Sequence, residues 1–141
     1  MPNSHKLAFR VLTGLYAIVR LNAESGVPEW AMKGEFTSVT RTSEELSIVC
    51  PAENLPGDVN SQHRWTCLKL EGPFAFSLMG VLLSFIEPLS SKRIPIFAIS
   101  TFDTDYVLVQ EDHAATALTV LATAGHVLRG HPISPAIKAS K

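Results

Sequence analysis

The chain has 141 residues, of which 46% are hydrophobic and 18% charged, and 12 Lys and Arg stand against 13 Asp and Glu for a net charge of −1. That composition supplies enough apolar material for a folded core and rules out a disordered, solvating tail. It also leaves no overall field that would draw nucleic acid or an anionic membrane, so neither is expected as a partner. The length is near that of one domain and has room for two very small modules. A piece of about 60 residues buries only about 60% of the surface its unfolded chain exposes, so each module needs the other or a second copy, and association is expected. Cys50 and Cys67 are the only cysteines. With no apolar leader pattern and no apolar run near about 18 residues, the expectation is a cytoplasmic protein with two buried thiols.

Residues 5 to 21 alternate: Leu7, Phe9 and Val11 share one face, and after Thr13-Gly14 come Leu15, Ala17, Val19 and Leu21. The pattern predicts a β-hairpin. Gly26, Pro28 and Gly34 mark residues 22 to 35 as a loop, with Pro28 starting a single helical turn through Trp30 and Met32. Phe36 to Arg41 and Leu46 to Cys50 read as strands on either side of the turn Thr42-Ser43-Glu44-Glu45, so the first half is strand-rich and helix-poor. Pro51, Pro56, Gly57, Asp58, Asn60 and Ser61 carry turn chemistry, and the boundary is placed there, giving modules 1–61 and 62–141.

In the second module Trp65 to Glu71 reads as a strand. Ser77 is placed to cap a helix whose Leu78, Leu82, Phe85 and Leu89 recur at helical spacing, and Pro88 is expected to loosen or end that helix. Pro95 to Phe102 is apolar on both faces, the pattern of a central strand, and Asp103-Thr104 turns the chain into Tyr106 to Gln110. Asp112 is placed to cap a second helix with Ala114, Ala117, Leu118 and Leu121 on one stripe; Gly125 ends it, and Val127 and Leu128 supply a last short strand. Strand, helix, strand, strand, helix, strand is the order of an α+β, ferredoxin-like βαββαβ sandwich, a four-stranded antiparallel sheet with both helices on one face. That architecture carries unrelated functions, so function has to come from particular residues.

Two segments carry candidate chemistry. Glu71-Gly72-Pro73-Phe74-Ala75-Phe76-Ser77-Leu78-Met79-Gly80 joins a strand to a helix N-terminus, where free N–H groups and the positive end of the dipole suit a carboxylate or phosphate. Gly72 and Gly80 would let such a group approach closely; alternatively they serve a tight turn and close helix packing. The second segment, Ser100-Thr101-Phe102-Asp103-Thr104-Asp105-Tyr106, gathers hydroxyls, two carboxylates and aromatic rings at a hairpin tip. Asp105 is placed to pair with a ligand ammonium, whereas closing its own turn is the usual duty of a residue like Asp103. The spacing lacks the calcium-loop pattern, and His126 and His131 have no cysteine or carboxylate at ligand spacing, so no metal is expected. No nucleophile elbow, P-loop or dinucleotide fingerprint occurs, so no cofactor and no enzymatic activity are expected.

Across nearly its whole length the sequence resembles the ACT-domain proteins, specifically bacterial relatives of the CASTOR-type arginine sensors. The resemblance rests on Glu45-Leu46-Ser47-Ile48-Val49-Cys50-Pro51, Leu70-Glu71-Gly72-Pro73-Phe74, and Phe76-Ser77-Leu78 with Gly80. Its most specific part is Ile99-Ser100-Thr101-Phe102-Asp103-Thr104-Asp105-Tyr106-Val107-Leu108-Val109. It implies two ACT-like modules in tandem that bind an amino acid or similar small molecule at a module or subunit interface, without catalysis. By position, the Gly72 to Gly80 loop would hold the ligand carboxylate and Asp105 with Ser100 and Thr101 would face its amino group, the ligand lying against Phe74, Phe76 and Phe102. The animal sensors have four modules, which here would need a homodimer, and a regulated protein target is implied without being identified. The alternative is a protein–protein interaction or dimerisation module with no ligand. RNA binding on the open sheet face ranks last, because the run of alternating basic, glycine and aromatic residues it needs is missing.

Overall fold

The structure is a computed structural model and describes residues 5–72 and 80–130. Apolar alternation becomes strand β1 at Ala8–Val11, β2 at Tyr16–Leu21, β3 at Ser38–Arg41 and β4 at Leu46–Pro51. Then come β5 at Trp65–Leu70, helix α1 at Val81–Ser91, β6 at Ile96–Ser100, β7 at Asp105–Gln110, α2 at Ala114–Thr123 and β8 at Val127–Leu128. The chain divides into two compact units, one of Gly14–Trp65 and one that joins Met1–Thr13 to Thr66–Lys141.

In the Gly14–Trp65 unit the strands lie in the order β3-β4-β2, all antiparallel, with Val19↔Ile48 and Val39↔Ile48 among the paired residues. The turn between β3 and β4 closes where it was expected: the Thr42 hydroxyl accepts the N–H groups of Glu44 and Glu45. Pro28 starts a single 3-10 turn, Glu29–Met32, and the Asn54 side-chain amide donates to the Trp30 and Lys33 carbonyls. A small core of Ala17, Val19, Ala31, Leu46, Ile48 and Cys50 results, with Trp30, Leu55 and Val59 packed against it. Cys50 and Cys67 are buried thiols, and burial pushes the Cys50 thiol up.

The second unit contains the expected strand–helix–strand–strand–helix–strand run, with an addition. Strand β1 does not form a hairpin with β2. It pairs antiparallel with β5 (Phe9↔Leu70, Val11↔Leu68) and parallel with β8 (Ala8↔Val127, Phe9↔Leu128). The sheet therefore runs β6-β7-β5-β1-β8, five strands where four were expected. The first residues of the chain thus group with the second half, whereas the sequence reading places them in a module ending at residue 61. Alternation of Leu7, Phe9 and Val11 sets which face of β1 is buried; it carries no information on which strand β1 pairs with.

Both helices pack on one face of this sheet, where Phe9, Leu68, Leu70, Val107 and Val109 meet Val81, Phe85 and Leu89 of α1 and Ala117 and Leu121 of α2. The Phe9 and Phe85 rings stand edge to face with centroids 5.2 Å apart. Strand β6, apolar on both faces like a central strand, is at the edge: among the described residues it pairs with β7 alone. Asp112 lies in a 3-10 turn, Glu111–His113, ahead of α2 and makes no cap hydrogen bond there.

Pro88 does not end α1, which continues to Ser91. A proline removes the N–H that would bond the carbonyl four residues earlier, here Ser84. The Ser84 carbonyl is satisfied from outside the helix by His126 Nε2 at 3.0 Å. Helix α1 ends in a Schellman motif, with Ile94 N–H donating to Leu89 O and Arg93 N–H to Ser90 O; Arg93 takes the left-handed position (φ 61°) that is usually glycine. Helix α2 ends the same way with Gly125 at φ 99°, as its sequence position predicts.

Candidate ligand-binding site

The last rungs of the β6–β7 ladder, Ile99↔Tyr106 and Ser100↔Asp105, bring the second candidate segment to a hairpin tip. The turn is closed by threonines: Thr101 N–H donates to Thr104 O at 2.8 Å, and Thr104 N–H donates to the Thr101 hydroxyl at 3.3 Å. Asp103 is exposed and the closing bonds belong to its neighbours, so turn closure is not its duty. Across the final rung the Ser100 hydroxyl donates to Asp105 Oδ1, which fixes the orientation of the half-buried Asp105 carboxylate. An ionised carboxylate offers about four lone-pair sites and Ser100 uses one of them, leaving capacity for a cationic group. Phe102 stands 80% exposed at the tip.

The two candidate segments meet at Gly72. A Cβ on Gly72 would lie 2.8 Å from the Asp103 carbonyl oxygen and 3.0 Å from Thr104 Cβ, so glycine is required by close approach of two backbones. Thr104 secures that approach. Its side chain is buried, and its hydroxyl donates to the Leu70 carbonyl at 2.8 Å, tying the hairpin tip to the end of β5. Beside it, Glu71 pairs with Arg10 of β1 at 2.8 Å, a half-exposed ion pair worth little in stability that nonetheless orients the strand end. Gly80 is the N-cap residue of α1, in the left-handed region (φ 78°), and has no side chain with which to cap it. Pro73, Phe74, Phe76, Ser77 and Leu78, together with the Ser77 cap, lie outside the described residues.

Thr104 and Glu71 stand in the two candidate segments, but sequence reading assigns neither a role in anchoring them. A threonine in a hairpin turn normally serves the turn, and nothing in its spacing shows that its hydroxyl reaches a carbonyl 34 residues away. Thr104→Val keeps the shape and removes the donor, leaving the Leu70 carbonyl unpaired in buried surroundings. The expected loss is about 1–3 kcal/mol in urea denaturation, with Thr104→Ser much closer to the parent; a loss under about 0.5 kcal/mol would show that the bond does not hold the tip.

His126 is buried with both ring nitrogens on backbone groups, and His131 lies outside the described residues. Among the described residues no group of three His, Cys, Asp or Glu is placed to hold a metal ion, and no helix is long and apolar enough to cross a membrane.

Comparison with known proteins bears on the same segments. The family model for the ACT domain matches residues 60–123, and a second family model, for an N-terminal domain, matches residues 14–58. Among curated proteins, the chain is 32% identical over 84 residues to the Homo sapiens "Cytosolic arginine sensor for mTORC1 subunit 1", covering 54% of this chain and 26% of that protein. To the Mus musculus protein of the same name it is 30% identical over 107 residues, covering 70% and 32%. The chain thus spans about a quarter to a third of the length of these relatives. Among solved structures, Atu0741 from Agobacterium tumefaciens is 44% identical with a TM-score of 0.84, over 91% of this chain and 97% of that one. VC0802 from Vibrio cholerae, described as a protein of unknown function and possible transport protein, shares the fold at 20% identity and a TM-score of 0.69, over 86% and 91%.

Proposed function

The chain is an ACT-domain protein and belongs to one family with Atu0741, and from that premise we propose that it is a non-catalytic regulatory protein that binds an amino acid. The observation that supports the reading is the packing of Gly72 on Asp103 and Thr104, two residues of the turn that joins Ser100 to Asp105. An amino acid has the charges such a neighbourhood suits. Its ammonium would take the remaining acceptor capacity of Asp105, with Ser100 and Thr101 alongside, and its carboxylate would take the N–H groups of the loop from Gly72 to Gly80 at the α1 N-terminus. Phe74, Phe76 and Phe102 would supply the apolar walls. Arginine, the ligand in the name of the curated relatives, is the first candidate among amino acids. The proposal includes a cytoplasmic homodimer and a regulated protein target.

Thermal unfolding of the purified protein against the twenty amino acids at millimolar concentration tests this. A ligand at about 100 times its Kd adds about 2.7 kcal/mol and raises the midpoint by several degrees. For the ligand so found, Asp105→Ala is expected to weaken binding about ten- to a hundredfold, the worth of a charge-assisted hydrogen bond; unchanged affinity would remove Asp105 from the site. A second reading, a dimerisation module with no ligand, is favoured by the edge position of β6 among the described strands, since an apolar edge strand suits pairing with another chain. A flat response across the panel from a protein that sediments as a dimer would favour it.

A further inference from the structure

The chain just ahead of β1 is tied down by three hydrogen bonds from consecutive residues. His5 N–H donates to the Ser84 hydroxyl at 3.1 Å, Lys6 Nζ to the Ala124 carbonyl at 3.0 Å, and Leu7 N–H to His126 Nδ1 at 3.1 Å. The last differs from the others because its acceptor titrates. His126 follows the Schellman turn of α2, its ring 5.2 Å from that of Phe85, and is 5% exposed. Its tautomer is fixed by Pro88: the Ser84 carbonyl left without a helix N–H accepts only from a donor, so Nε2 carries the proton. Nδ1 of the neutral ring is then a bare acceptor, and Leu7 N–H occupies it.

We propose that His126 is a pH-sensitive latch that holds strand β1 in the sheet and releases it when the ring is protonated. A second proton would sit on Nδ1, pointing at the Leu7 N–H, so a bond would become a donor–donor clash, and a charge would be buried against Phe85. Lys6, anchored one residue before Leu7, adds a like charge. Burial first, and then Lys6, holds the imidazole below its ordinary range against the opposing pull of the Ser84 carbonyl. Among the described residues on the elements around the ring, Glu87 on α1 is exposed, and Ala124, Gly125 and Val127 on either side of His126 do not titrate.

The sign follows. Above about pH 6.5 the ring is neutral whether the latch is closed or open, and the latch has full strength. As pH falls below that value the open form takes up a proton that the closed form resists, so opening increases until the depressed folded pKa is reached. Opening also frees Val127 and Arg129, whose N–H groups donate to the Leu7 and Phe9 carbonyls at 2.8 and 2.7 Å.

Amide hydrogen exchange on the full chain, corrected for intrinsic rates, reads this directly. From pH 7.5 to 5.5 the opening equilibrium at Leu7, Val127 and Arg129 is expected to rise about tenfold. In His126→Asn, whose amide can still accept from Leu7 and does not titrate, the rise should vanish, while His5→Asn should leave it intact. A pH-independent wild type, or the same rise in His126→Asn, would overturn the proposal. Should His126→Asn fail to fold, the ring C–H resonances of the wild-type protein decide it: titration of His126 at or above about pH 6.5 overturns the latch, and titration clearly below it supports it.

Discussion

A chain that begins at Gly14 is expected to fail to fold its second unit. Strand β1 lies between β5 and β8, and Phe9 within it and Leu7 just ahead of it, 1% and 6% exposed, enter the core beneath both helices. Burying two such side chains is worth about 1.5–3 kcal/mol each, and the ladders on both sides of β1 are lost with them. The total is comparable with the whole stability of a small domain, about 5–15 kcal/mol. Circular dichroism and denaturant titration of residues 14–141 should show no cooperative transition for the second unit, with ordered signal restored when a peptide of residues 1–13 is added. Cooperative unfolding of the truncated chain at parent-like denaturant concentration would mean that β5 and β8 can close on each other without β1.

Phe85→Ala is expected to cost about 3–5 kcal/mol, or roughly 10 to 20 °C in midpoint. Its ring is fully buried, packs edge to face on Phe9 and has the His126 ring at a centroid distance of 5.2 Å, so truncation opens a cavity where α1, β1 and the α2–β8 connection converge. Leu83, two residues away on the same helix, is 52% exposed, and its truncation should stay within about 0.5 kcal/mol. The comparison separates the loss of a packed ring from a general effect on α1. A Phe85→Ala loss no larger than that of Leu83→Ala would place the core elsewhere.

The two variants bear on the proposed function because the site borrows its rigidity from this core. Asp105 and Ser100 sit at the end of a ladder whose Val107 and Val109 are core residues, and Gly72 follows Leu70, which is core as well. The candidate site can therefore be held in place without any direct bond from its own polar groups to the helices.

Much of this was legible along the chain. Alternation located the strands, helical spacing put Phe85, Leu89, Ala117 and Leu121 on the buried stripes, and Gly125 marked the end of α2. These are local properties, set by which face of an element meets water, so a window of residues suffices to carry them. The Gly72 to Gly80 and Ser100 to Asp105 segments likewise stood out by composition, and Gly72 does meet the second of them. Partners were another matter. That β1 leaves its neighbour β2 for β5 and β8, that apolar β6 takes an edge, and that Thr104 rather than Asp103 anchors the hairpin tip all depend on residues brought together from far apart in the chain. The same holds for Pro88. Its local rule predicts a broken helix, and the helix survives because a histidine 38 positions later supplies the missing donor to Ser84. Periodicity specifies a face; the identity of the group across that face is fixed by long-range packing, and no local pattern encodes it.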